Sequence, residues 1–213
     1  MEHVLIYSDS LTWGIIPNTR KRLPFNKRWP GVFENALNAR GKQIRAIENC
    51  LNGRRTVWPD PFKNGRDGSE GLAQVIEMHS PLKLVILMLG TNDFQCTHDH
   101  NAWLSAQGTA KLIHTLRAAP IEPGMPVPKV LVVAPPAITE PKGIIADKFK
   151  GAEKRSRGLA TELEKISADL GVHYFDSNTV IQASAVDGIH LDAEQHTVLG
   201  LALAEATCRA DIF

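Results

Sequence analysis

A serine near the start of the chain, an asparagine near its middle and an aspartate and histidine near its end are the residue types here that can do acyl chemistry together. Ser10 lies in Ser8-Asp9-Ser10-Leu11-Thr12-Trp13-Gly14. A serine hydroxyl attacks poorly near neutral pH unless a base stands within hydrogen-bond reach. His190 is the candidate base: in Asp187-Gly188-Ile189-His190, a short loop lets Asp187 accept from one ring nitrogen while the other faces a serine. Attack on a carbonyl creates an oxyanion that needs donors. The side-chain amide of Asn92, in Gly90-Thr91-Asn92-Asp93, is one candidate, and Gly53 lets the backbone approach a ligand and present its N–H. Taken singly, each segment is an ordinary cap or turn. Their conjunction in the order nucleophile, donors, carboxylate, base is what points to catalysis.

The elements that must bring them together are legible in the periodicity. Short apolar runs at Val4–Tyr7, Ile44–Ile47, Leu84–Leu89, Val130–Ala134 and Val172–Phe175 read as strands. The run Leu84–Leu89 is apolar at every position, as expected of a central strand covered on both faces. Helical spacing or helix signals mark Pro30–Ala39, Ser69–His79, Asn101–Ala118, Ala152–Leu170 and Ala193–Arg209, the last with Asp192 as its expected N-cap. Strand and helix thus alternate five times, which predicts an α/β fold of three layers: a flavodoxin-like, five-stranded parallel sheet between helices. Ligands of such sheets bind at the carboxyl ends of the strands, and every candidate segment follows a strand or precedes the last helix.

On Asp9-Ser10-Leu11, Gly53, Gly90-Thr91-Asn92-Asp93 and Asp187-Gly188-Ile189-His190, the sequence resembles the SGNH hydrolases, also called the GDSL family. The resemblance covers nearly the whole chain. The longer stretches Asp9–Gly14, Met88–Asp93 and Val186–His190 are most similar to the arylesterase and acyltransferase branch. The resemblance implies a catalytic triad of Ser10, Asp187 and His190, and an oxyanion hole made by the backbone N–H groups of Ser10 and Gly53 with the amide of Asn92. It implies no cofactor and no metal. One position departs: the family block begins Gly-Asp-Ser, and Ser8 here adds a small hydroxyl expected to alter local hydration or rate beside the nucleophile. Asp9 is read as structural. Trp13, Ile15 and Phe94 are read as substrate-binding walls, with Ile16, Phe25 and Trp29 as further candidates.

Composition narrows the alternatives. With 24 Lys+Arg against 23 Asp+Glu the formal charge is +1, which speaks against a dedicated nucleic-acid or anionic-membrane binder. The run Arg20-Lys21-Arg22 with Lys27 and Arg28 reads as a solvated loop. Three widely spaced cysteines, Cys50, Cys96 and Cys208, suggest a reducing compartment rather than a disulfide framework. Neither a signal-peptide pattern nor a spanning apolar run is present, so a cytoplasmic location is expected. Cys96-Thr97-His98-Asp99-His100 gathers potential metal ligands but fits no standard zinc spacing. No Gly-rich phosphate loop follows the first strand. Residues 1–213 read as one domain, since no linker divides them.

The expected function is a serine esterase acting on small aryl or short-chain acyl esters through an acyl-enzyme, with water or an alcohol as acceptor. A carbohydrate acetylesterase and a lysophospholipase or thioesterase are the alternatives among hydrolases; a catalytically idle flavodoxin-like binding module is the alternative of another class. A homo-oligomer is expected, because the Pro17–Pro30, Pro120–Pro128 and Pro135–Pro141 segments are long excursions for a compact α/β unit.

Overall fold

In the computed structural model, which describes residues 1–213, five strands form one parallel sheet: β1 (Glu2–Ser8), β2 (Ile44–Cys50), β3 (Leu84–Met88), β4 (Lys129–Ala134) and β5 (His173–Asp176). The spatial order is β2-β1-β3-β4-β5, so the apolar run β3 is central, as its sequence predicts. Alternation within each strand builds two cores. Val4, Ile6, Leu84, Ile86 and Met88 face one side, and Leu5, Tyr7, Val85 and Leu87 the other. A buried aliphatic side chain of this size contributes about 1.5–3 kcal/mol, and because β1 and β3 are covered on both faces, a one-residue slip would exchange the side chains assigned to the two cores and spoil the packing of both.

The helices are α1 (Ser10–Trp13), α2 (Trp29–Ala39), α3 (Leu72–His79), α4 (Ala102–Arg117), α5 (Ala152–Arg155), α6 (Leu159–Asp169) and α7 (Ala193–Arg209). Buried residues of α2 and α7 join the first core, and those of α3, α4 and α6 the second, giving the three expected layers. Two helix expectations are corrected. The helix expected from Ser69 begins at Leu72, and the helix expected over Ala152–Leu170 is broken into α5 and α6. In each case a glycine in the left-handed region, Gly71 at φ +76° and Gly158 at φ +84°, stands where the helix stops or has yet to start. Asp192 does occupy the N-cap of α7, but its carboxylate accepts from Ser184 Oγ at 2.9 Å and makes no side-chain cap bond. No helix is long and apolar enough to cross a membrane.

The register sets up the site. Ser8 is paired with both Cys50 and Met88, so β1, β2 and β3 end level with one another. Ser10, Gly53 and Asn92 follow within a few residues, on either side of the point where the strand order reverses.

Candidate active site

Asp9 caps α1 by accepting from Leu11 N at 2.9 Å, and Ser10 is the first residue of that helix. The hydroxyl of Ser10 stands 3.1 Å from His190 Nε2, and His190 Nδ1 stands 2.7 Å from Asp187 Oδ2. The three side chains expected to act together are therefore joined in sequence Ser10, His190, Asp187. The other Asp187 oxygen accepts from the N–H groups of Ile189 at 3.0 Å and His190 at 2.9 Å, which locks the loop around the pair. Gly188 makes that loop possible: its φ is +77°, and a β-carbon there would run into the Glu140 carbonyl oxygen. Asn18 N adds a bond to Asp187 Oδ2 at 3.3 Å, a contact that nothing in the local sequence signals.

Electrostatics follow from these bonds. Burial alone would raise the Asp187 carboxyl, but the hydrogen bonds and charge of His190 with the Ile189 N–H outweigh it and hold the group at about 2. Asp187 is thus a carboxylate throughout the neutral range, suited to fix a ring tautomer and to stabilise an imidazolium. Asp9 behaves oppositely: complete burial pushes it up to about 6 despite the Leu11 and Asn92 bonds.

Ser10 and Gly53 each have a backbone N–H without an acceptor in the chain, and both residues line the same cavity as Asn92 and His190. Asn92 departs from expectation. Its amide nitrogen donates to Asp9 Oδ2 at 2.8 Å and to the Arg54 carbonyl at 3.1 Å, while its oxygen accepts from Gln95 Nε2 at 2.7 Å. Both amide hydrogens are engaged, so a role at an oxyanion requires Asn92 to release or share one. Gln95 is in turn held by the fully buried Arg55, whose guanidinium also binds Thr97 Oγ1 and the Pro59 carbonyl.

The cavity measures about 190 Å³. Ile15 lines it, as expected, together with Ile144, Ile145 and Phe149 from a part of the chain that sequence reasoning did not single out. Trp13 and Phe94 do not line it, which corrects two expected walls. Phe94 is fully buried in the core beneath α4 and α6, and Trp13 is covered by the Arg22 guanidinium, 4.7 Å from its ring centre. Trp29 is likewise core, its Nε1 donating to Thr12 Oγ1 at 3.1 Å. The Ser8 hydroxyl donates to the Met88 carbonyl at 2.6 Å and accepts from Thr12 Oγ1 at 2.6 Å, so it braces β1 on β3 in a fully buried setting.

The segment Cys96–His100 lies beside this region. His100 stacks on Trp58 at 4.1 Å between ring centres, and His98 meets the Pro59 carbonyl at 3.0 Å. No group of three or more His, Cys, Asp or Glu side chains is placed to hold a metal ion.

The five-stranded parallel sheet between two helical layers and the Ser–His–Asp chain at its carboxyl edge define a flavodoxin-like serine hydrolase architecture, and comparison with known proteins gives the family. Residues 9–198 match the model of the GDSL-like lipase/acylhydrolase family. The chain belongs to that family, on its arylesterase side. An aryl esterase of M. smegmatis shares 31% identity at a TM-score of 0.92, covering 98% of this chain and 99% of that one. A carbohydrate acetylesterase from Sinorhizobium meliloti shares 33% identity at a TM-score of 0.91, covering 99% and 100%. An arylesterase from Vibrio mimicus is 29% identical over 92 residues, a stretch that is 43% of this chain and only 38% of that relative.

Proposed function

We propose that this protein is a carboxylic-ester hydrolase that cleaves short-chain acyl esters, aryl acetates among them, through an acyl-enzyme on Ser10. The observation that carries the reading is the bonded chain from Ser10 Oγ through His190 to the Asp187 carboxylate. His190 takes the hydroxyl proton as Ser10 Oγ bonds to the ester carbonyl, and the carbonyl π electrons move onto oxygen. The N–H groups of Ser10 and Gly53 receive that oxyanion, joined by Asn92 when it yields one of its two bonds. Collapse breaks the bond to the alcohol, which leaves with the proton held on His190. Water then repeats the sequence on the acyl-enzyme and releases the acid.

A cavity of about 190 Å³ is below the usual range for ligand pockets, which favours a small acyl group. Likeness to the Sinorhizobium meliloti acetylesterase supports a second reading, in which the alcohol is a sugar hydroxyl. An organophosphonate that reacts with activated serines tests the mechanism: mass spectrometry should find the adduct on Ser10 and none in Ser10→Ala. A panel of aryl and sugar esters, read by product mass, separates the two alcohols. Labelling elsewhere with full activity in Ser10→Ala would overturn the assignment.

A further inference from the structure

Arg20, Lys63 and Lys148 come from three separate loops and all line the Ser10 cavity, while no Asp or Glu does. Each loop is anchored. The Arg20 loop is closed by an antiparallel bridge between Ile15 and Arg22, and the Lys148 carbonyl accepts from Cys96 N at 2.9 Å. The loop before Lys63 is held by Arg55 on the Pro59 carbonyl at 2.8 Å.

Three neighbouring cations are paired with carboxylates and these three are not. Arg22 and Arg28 share Glu48, and Arg55 faces Asp60 at 3.7 Å. Arg20, Lys63 and Lys148 form no ion pair with any carboxylate of the chain. Asp60 and Asp147 do border an adjoining cavity with Lys63 and Lys148, but Asp60 is committed to Arg55. The crowding of positive charge has a titration signature. Partial burial pushes Lys148 down, and Lys63, Arg55 and Arg20 push it further, against the pull of Asp60. Burial and then Arg66 and Arg20 push Lys63 down in the same way.

Depth assigns the ends of the ester. Ser10, Asn92 and His190 are buried on the floor, and the three cations are exposed at the rim. A short acyl group fills the floor; the alcohol points to the mouth, where its charge would be read. We propose that the site selects esters whose alcohol portion carries a carboxylate, sulfate or phosphate, held between Arg20, Lys63 and Lys148. This rests on the esterase reading above and specifies its substrate class.

The test compares ester pairs that differ only in that charge: 4-acetoxybenzoate against its methyl ester, and acetylated galacturonic acid against acetylated methyl galacturonate. Each kcat/KM is divided by the ester's own alkaline hydrolysis rate. Exposed ion pairs are weak singly, so three together should favour the anion by about 5- to 50-fold at low salt. Raising salt from about 0.01 M to about 1 M should bring the ratio toward one, because the charges are screened. Arg20→Ala, Lys63→Ala and Lys148→Ala should each lower the ratio, and the combined Arg20→Glu, Lys63→Glu, Lys148→Glu variant should invert it. A preference in the aryl pair alone makes the alcohol a phenol, and one in the sugar pair alone makes it a sugar acid; either supports the proposal. A ratio near one in both pairs, unmoved by salt, overturns it while neutral-ester turnover keeps the esterase reading intact. An enzyme inert on every ester and unlabelled at Ser10 overturns that reading instead.

Discussion

Ser10 Oγ and His190 Nε2 stand 3.1 Å apart although 180 positions separate the two residues in the chain. One follows β1 directly and the other sits in the loop before α7, so the contact exists only when the first strand and the last helix pack on the same sheet. Asp187 belongs to the same loop as His190, and the three groups act as one unit. Ser10→Ala and His190→Ala should each lower kcat by at least about 10³-fold, and the double variant should be no worse than the weaker single one. Asp187→Asn should lower kcat by a similar or smaller factor. Steady-state kinetics on a neutral aryl acetate checks this, and losses that multiply in the double variant would show that the residues do not share a step.

Asn92→Ala should lower kcat on the order of 10²-fold, because its amide would bind the oxyanion more tightly than the ground-state carbonyl. The same change strips a donor from the buried Asp9 carboxylate and the Arg54 carbonyl, which should cost about 1–3 kcal/mol in stability. Denaturant melts and kinetics measured on the same preparation separate the two effects. A change confined to KM would assign Asn92 to substrate positioning.

Acid should act on stability through buried groups in opposite directions. Burial holds His196 down to about 4, so the folded protein keeps it neutral while the unfolded chain takes up a proton. Stability from His196 is therefore present at neutral pH and lost as pH falls through its ordinary range toward that value. Burial raises Asp9 and Asp93 to about 6, so their contribution is lost as pH rises through that value and regained on acidification. His196→Gln removes only the first effect. Its stability relative to the parent should improve by about 3 kcal/mol between about pH 7 and about pH 4, as urea melts across that range would show. Parallel curves would mean that His196 is not buried neutral.

An acyl-enzyme can be intercepted by an alcohol, and water wins by concentration unless the site binds the alcohol or excludes water. Ile15, Ile144, Ile145 and Phe149 give the cavity an apolar side, against which a small primary alcohol is expected to pack. With vinyl acetate in water containing such an alcohol, the alcohol acetate should form in excess of the alcohol-to-water mole ratio. Gas chromatography at several alcohol concentrations decides, and a product ratio equal to the mole ratio would make the protein a plain hydrolase.

Self-association is expected from the long proline-containing excursions, and Phe62 and Ile144 add exposed apolar surface beside the cavities near Ser10. Light scattering across micromolar concentrations should give a mass that is a multiple of the chain. One species at the mass of a single chain would contradict this.

Local sequence determined a great deal, because periodicity and punctuation are properties of neighbours. The continuous apolar runs Val4–Tyr7 and Leu84–Leu89 marked strands with two buried faces, and Gly71 and Gly158 carried, in plain view, the reason two helices are shorter than their apolar spacing suggests. The candidate triad was legible because its residue types sit in two compact segments, one directly after the first strand and one just before the last helix. The tertiary structure alone decided what meets what. Asn92 spends both amide hydrogens on Asp9 and Arg54, Phe94 and Trp13 turn away from the cavity, and Ser8 braces β3. Arg20 reads as part of a solvated loop, and Lys63 and Lys148 stand in no motif; only the packing of distant segments brings the three around one serine. Contacts across such separations leave no period in the sequence, since they depend on the strand order and register that the whole fold sets at once.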